Sequence, residues 1–171
     1  KWARLGGVEL LKKYLYEPSL NLNGIAGGYS SAGTILPRRA KARLDIRLVP
    51  DMEPSQVVDS VRGHLRDQGY EDIRVDVMQA YPPSQSSPAE RPADALVRSA
   101  RELAPGPVQV WPRSAGAAPH YLFTRGLGVP LAFGGLGHGG KSHSANEYVT
   151  VEGLRRHERG ICGFLYTLAS M

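Results

Sequence analysis

The stretch Ala40-Lys41-Ala42-Arg43-Leu44-Asp45-Ile46-Arg47-Leu48-Val49-Pro50 decides how the first half of this chain folds. Ala40, Ala42, Leu44, Ile46 and Leu48 alternate with Lys41, Arg43, Asp45 and Arg47, so a strand here carries apolar side chains on one face and charges on the other. Pro50, with no amide to give a ladder, ends it. Further along, Pro54 suits a first helical position, and Val57, Val58, Val61 and Leu65 form an apolar stripe that stops at Gly69, a residue type favoured just past a helix. Ile73, Val75 and Val77 then alternate as a second strand. In the other direction, Leu20 to Tyr29 reads as an extended stretch loosened by Gly24, Gly27 and Gly28. Before it Leu11 and Leu15 lie one helical turn apart, and Pro18 closes that helix. Helix, strand, strand, helix, strand is a ferredoxin-like α+β unit lacking only its leading strand, which is expected upstream of Lys1. A chain that opens on Lys1 directly into a helix reads as a piece of something longer.

Tyr81 to Pro92 contains Pro82, Pro83, Pro88 and Pro92 with Ser84, Ser86 and Ser87, a composition that connects rather than packs, and a boundary is expected there. The expected organisation is a domain over 1–80, a linker over 81–92 and a second segment over 93–171. In that segment Leu96, Val97, Ala100 and Leu103 read as a helix, Val108 to Trp111 as a short strand and Pro119 to Phe123 as a helix. Val129 to Phe133 reads as an apolar strand, and Leu154, Ile161, Leu165 and Leu168 as one face of a C-terminal helix. Alternating helices and strands suggest a layered α/β sheet, of which this length supplies only part.

Composition narrows the function classes. The chain has 171 residues and 42% hydrophobic side chains, which suits one or two small globular domains and excludes collagen, coiled coil and disorder. Its apolar runs fall far short of the roughly 20 residues that span a bilayer, and Leu5-Gly6-Gly7-Val8 gives way to charge too soon for a signal peptide. Neither a membrane partner nor a targeting segment is expected. The single cysteine, Cys162, forms no internal disulfide, fits a reducing, cytoplasmic compartment and reads as a buried helix thiol. The net charge of +5 is spread over both halves. The densest cluster, Arg38, Arg39, Lys41 and Arg43, has only Tyr29 nearby as a stacking aromatic, so nucleic acid is not expected as a partner.

Gly134 to Glu147, Gly-Gly-Leu-Gly-His-Gly-Gly-Lys-Ser-His-Ser-Ala-Asn-Glu, carries the most chemistry. Gly135, Gly140, Lys141 and Ser142 match the phosphate-loop pattern, which requires a helix starting at the lysine and a magnesium-binding Asp on a further strand. No Asp follows Ser142. The other reading centres on His143, followed by Ser144, Asn146 and Glu147 in a loop at the carboxyl end of a strand, the edge where open α/β sheets hold ligands. Imidazole is a common zinc ligand, and a neighbouring carboxylate can orient it. A solvated loop histidine remains the alternative on these residues alone.

Asn23-Gly24, Gly27-Gly28-Tyr29, Thr34-Ile35-Leu36-Pro37, Asp45-Ile46-Arg47-Leu48-Val49-Pro50 and His143-Ser144-Ala145-Asn146-Glu147 occur in an order found in one family. The chain resembles, over essentially all its residues, the C-terminal half of the di-zinc metallopeptidases related to carnosinase, succinyl-diaminopimelate desuccinylase and acetylornithine deacetylase. The resemblance implies a ferredoxin-like lid domain that often dimerises, followed by the C-terminal portion of a zinc-peptidase α/β catalytic domain. It implies that His143 is a metal ligand, that Arg47 grips a substrate carboxylate, and that Thr34 and Gly116 line the substrate site. Arg113 to Pro119 aligns with a family loop often written Gly-Gly-Ser-Ile-Pro; Ala117 stands where the serine does, which removes a hydroxyl donor. His138, His120, His64 and His157 match no family ligand. The family's other ligands and its general base have no counterpart in this segment, so no catalytic residue is assigned here.

The sequence therefore reads as part of a zinc-dependent amidohydrolase, a dipeptidase or N-acyl-amino-acid deacylase with two divalent metals. Its partners would be a small peptide or N-acyl amino acid and a second copy joined through the lid. These residues alone are expected to be inactive. The rival reading is a non-catalytic dimerisation module with its interface on Ala40 to Val49 and Pro54 to Gln68.

Overall fold

The computed structural model describes residues 4–28, 34, 36–114 and 116–171. The elements in chain order are α1 (Gly7–Tyr16), β1 (Ser19–Gly27), β2 (Ala40–Arg47), α2 (Pro54–Asp67), α3 (Arg91–Leu103), a π-helical turn (Leu122–Gly126), β3 (Gly139–Gly140), β4 (Tyr148–Val149) and α4 (Val151–Ala169). They form two compact units: 1–83 with 113–119, and 84–112 with 120–171.

The first unit is built on the hairpin of β1 and β2, antiparallel strands in which Ser19 faces Arg47, Leu20 faces Ile46, Asn21 faces Asp45 and Leu22 faces Leu44. Residues paired across a ladder point to the same side, so Ser19, Asn21, Asp45 and Arg47 share a polar face and Leu20, Leu22, Leu44 and Ile46 an apolar one. In β1 the next apolar residue, Ile25, comes three positions after Leu22 and would fall on the polar face. A bulge between Leu22 and Gly24 takes up the extra residue, and Ile25 pairs with Ala42 on the apolar side. Gly24 and Gly27, read as loosening this stretch, belong to a strand with a register correction, and Gly28 follows it at φ 89°.

The flanking helices follow their sequence signals. Helix α1 stops before Pro18 and buries Leu15. Pro54 occupies the first turn of α2, and Gly69, at φ 78°, ends it. The Gly69 amide donates to the Arg66 carbonyl and the Tyr70 amide to the Leu65 carbonyl, both at 2.9 Å, the paired closure of a Schellman motif.

Residues 73–77, read as a strand, pair with no other strand among the described residues; nor do 108–111 or 129–133. Alternation sets which side chains face a core, but a ladder also needs a neighbour at about 4.8 Å. In a ferredoxin-like sheet the last strand lies against the first, the one not found in these residues.

In the second unit α3 and α4 pack through small residues. Ala95 and Ser99, four apart on α3, are almost wholly buried. On α4 an ideal Cβ at Gly163 would lie 2.5 Å from Leu103 Cδ1 and 2.9 Å from Ser99 Oγ. Arg91 Nη2 donates to the Leu168 carbonyl at 3.3 Å, tying the start of α3 to the end of α4. Two serines of the Pro-rich stretch are also fixed within this unit: Ser86 Oγ accepts from the Leu131 amide at 2.8 Å, and Ser84 Oγ lies 2.9 Å from Thr124 Oγ1.

Two sequence expectations for α4 are corrected. Leu154, Ile161 and Leu165 were expected to form the packed face but are about half exposed, and Cys162, expected buried, is exposed. The face that packs within the unit carries Gly153, Gly160 and Gly163. A leucine stripe does not reveal it, because a glycine contributes close approach rather than apolar bulk. No helix among the described residues is long and apolar enough to cross a membrane.

Candidate metal and substrate site

His143 sits in the loop 141–147 that connects β3 to β4, a two-residue ladder in which Gly139 pairs with Val149 and Gly140 with Tyr148. Gly139 is required by contact, since an ideal Cβ there would lie 2.5 Å from the Tyr148 carbonyl oxygen; at Gly140 it would lie 3.0 Å from the hydroxyl of the exposed Tyr148 side chain, which can move aside. Lys141, His143 and Asn146 all adopt φ near +60°, a conformation that costs an L-residue of order 1–2 kcal/mol and persists where the surroundings impose it. Hydrogen bonds within the loop impose it here. Ser144 Oγ donates to the Lys141 carbonyl at 2.7 Å, and the His143 amide donates to Glu147 Oε2 at 3.3 Å. Glu147 thus holds the backbone of His143 and leaves the exposed imidazole open.

The base of this loop is clasped by the start of α4. Thr150 is its N-cap: Oγ1 accepts from the Gly153 amide at 3.0 Å and donates to the His138 carbonyl at 3.3 Å, while the Thr150 amide donates to that carbonyl at 2.9 Å. The phosphate-loop reading ends here, since Lys141 and Ser142 lie in a turn and the next helix begins only at Val151.

His143 suits the role of one metal ligand by chemistry and access. Among the described residues no three His, Cys, Asp or Glu side chains lie close enough together to hold an ion, and a catalytic zinc takes three protein ligands with an open position. His143 therefore fits as one contributor to a centre whose other ligands it does not find nearby.

The substrate residues expected from the sequence lie in the other unit. Arg47 ends β2 on the polar face, half-buried, with Nε donating to Asp45 Oδ2 at 2.8 Å. Thr34 is exposed, as is Gly116, whose amide donates to Ser114 Oγ at 3.1 Å. The loop 113–119 groups with the first unit, and there the Arg113 guanidinium stacks 5.7 Å above the Tyr16 ring at the end of α1. Sequence reasoning passed over this contact, whose partners are far apart in the chain. Tyr29 and Ile35, which belong to the motifs quoted above, lie outside the described residues, as do Lys1 and Ala115.

Comparison with known proteins bears out the resemblance. Residues 7–73 match the model of the peptidase dimerisation domain. The chain is 27% identical over 167 residues to the Cys-Gly metallodipeptidase DUG1 of Candida albicans, covering 92% of this chain and 34% of that protein. It is 42% identical over 59 residues to the mouse (Mus musculus) Beta-Ala-His dipeptidase, 33% of this chain and 12% of that one. Among solved structures, an M20 family metallo-carboxypeptidase from Sulfolobus solfataricus superposes with a TM-score of 0.83 at 27% identity, over 98% of this chain and 40% of its own. The di-peptidase Dug1p of Saccharomyces cerevisiae, at 21% identity, shares the fold with a TM-score of 0.80.

Residues 7–73 are thus similar to the peptidase dimerisation domain, and the chain as a whole has the fold of part of an M20 family metallo-carboxypeptidase. The relatives are dipeptidases and a metallo-carboxypeptidase, and the chain spans about a third of the length of the Candida albicans protein.

Proposed function

We propose that this chain supplies the lid and the C-terminal part of the active site of a zinc-dependent amidohydrolase acting on dipeptides or N-acyl amino acids. The observation that carries the reading is the likeness to an M20 metallo-carboxypeptidase over 98% of the chain. In this reading the polar face of β2 and the loop at His143 keep their roles. Two divalent ions, when bound, would supply Lewis-acid chemistry for amide hydrolysis. His143 offers its imidazole as one ligand, held in place by Glu147 through its own backbone amide. Arg47 takes the free carboxylate of the substrate in a guanidinium fork, and Thr34 and Gly116 line the same site. The domain of residues 7–73 joins two copies, and the protein works in the cytoplasm.

A second reading is favoured by the match of residues 7–73 to the peptidase dimerisation domain: a dimerisation module without catalysis of its own. Intact-mass analysis followed by assay separates the two. A product of 18.6 kDa is expected neither to bind zinc tightly nor to hydrolyse an amide. A longer product containing these residues is expected to cleave dipeptides or N-acyl amino acids in zinc, and His143→Ala is expected to lower its zinc affinity and activity together. Tight stoichiometric zinc binding by the short chain, or an active longer product indifferent to His143→Ala, refutes the reading.

A further inference from the structure

The polar face of the hairpin is not uniform. At its Arg47 end Ser19, Asp45 and Arg47 are half-buried, whereas Lys41 and Arg43 further along β2 are exposed. Asp45 and Arg47 stand two residues apart on the same face, and Asp45 Oδ2 receives Nε of Arg47 at 2.8 Å. Among the described residues Nη1 and Nη2 of Arg47 make no hydrogen bond. A carboxylate can meet a guanidinium side-on, across Nε and one Nη, or end-on, across the two Nη nitrogens. Asp45 already occupies the side-on edge.

We propose that Asp45 is a positioning residue: it holds the guanidinium of Arg47 so that only its Nη1/Nη2 edge faces outward, fixing an end-on geometry for a ligand carboxylate. The inference rests on the reading of Arg47 as the carboxylate contact. An arginine free to rotate about its four side-chain torsions must be ordered when ligand binds, and Asp45 meets that ordering cost in advance. Asp45 is also a negative charge near an incoming anion, so its two effects oppose each other. Positioning predicts that removing the acceptor weakens binding, and simple repulsion predicts that it strengthens binding.

The test uses the chain itself, with uniform nitrogen-15 labelling; the backbone amide resonances of Ser19 to Asn21 and Asp45 to Arg47 report binding in every variant, and the Nε–Hε resonance of Arg47 reports the side chain where it is present. The probe is N-acetylglycine, with N-acetylglycinamide as the uncharged control. The acid, not the amide, is expected to perturb Arg47, and Arg47→Lys to abolish the response. Asp45→Ala should weaken binding about fivefold, whereas Asp45→Asn, which keeps an acceptor for Nε, should stay within about twofold of the parent. If Asp45→Ala binds as well or better, or if Asp45→Asn loses as much as Asp45→Ala, positioning is refuted while the role of Arg47 stands. If Arg47→Lys binds as tightly as the parent, or the acid leaves Arg47 unperturbed, the reading of Arg47 falls and the inference with it.

Discussion

Three glycines of α4 offer a direct test of how the His143 loop is held, because the same substitution should have opposite effects within one helix. Glycine in a helix interior costs about 1 kcal/mol relative to alanine, so each Gly→Ala change starts with a gain of that order. At Gly160 the new Cβ would sit 3.5 Å from Leu136 Cγ and Cδ1, an ordinary contact, and the gain should survive as about 0.5–1 kcal/mol. At Gly153 it would lie 2.5 Å from the His138 amide nitrogen and 2.8 Å from its carbonyl oxygen, with Thr150 Oγ1 at 2.6 Å. Two of these three atoms are main chain and have no rotamer to change.

Relief at Gly153 requires the main chain at His138 to move off the start of α4. The movement gives up the Thr150 to His138 backbone hydrogen bond and the Thr150 cap, each worth about 1 kcal/mol. With overpacking strain added and the propensity gain deducted, Gly153→Ala should cost about 1–2 kcal/mol. At Gly163 the colliding groups are side chains: Leu103 is 42% exposed and can swing away, but Ser99 is buried and cannot, so that variant should fall between the others. Urea and thermal unfolding followed by circular dichroism would measure all three, with about 4–8 °C per kcal/mol expected for a unit of this size. A Gly153→Ala chain as stable as Gly160→Ala would refute the argument that the clasp of Thr150 and His138 is rigid.

Two backbone predictions concern the first unit. Asp51, at φ 68°, is the third residue of a turn in which the Met52 amide donates to the Val49 carbonyl at 3.3 Å, a place that suits glycine behind Pro50; Asp51→Gly should raise stability by about 0.5–1 kcal/mol in urea unfolding. Gly69→Ala forces a Cβ onto a residue at φ 78° in the Schellman closure of α2 and should cost about 1 kcal/mol by the same measurement.

What the sequence made legible was local. Pro54, Gly69 and the valine stripe between them define α2 almost to the residue, because caps and periodicity are properties of the segment itself. The polar and apolar faces of β2 could be read the same way. The bulge in β1 left a trace, the change from a spacing of two at Leu20 and Leu22 to three at Ile25, with Gly24 where the chain must bend. What could not be read depends on neighbours. Asp45 and Arg47 are visible as a same-face pair, but not the choice of Nε over Nη. The packed face of α4 is set by glycines that register in no hydrophobic pattern, and the stack of Arg113 on Tyr16 joins residues nearly a hundred positions apart.

The unpaired strands and the half-exposed leucines of α4 have a common physical basis. The chain exposes 13804 Å², whereas two independent globular units of this combined mass should expose about 10,000 Å². Part of the excess is apolar: Leu20, Leu22, Ile25 and Leu44 on one side of the hairpin, and Leu154, Ile161 and Leu165 on α4. A helix packed through glycines on one side and presenting leucines on the other is patterned for burial on both, as in the interior of a layered α/β domain. Stretches 73–77, 108–111 and 129–133 likewise carry strand patterning without a ladder. Apolar faces and main-chain polar groups place the same demand on their surroundings, since each is stabilised only by a complementary surface. Under the proposed function His143 makes that demand in chemical form, as one ligand of a centre that needs at least two more.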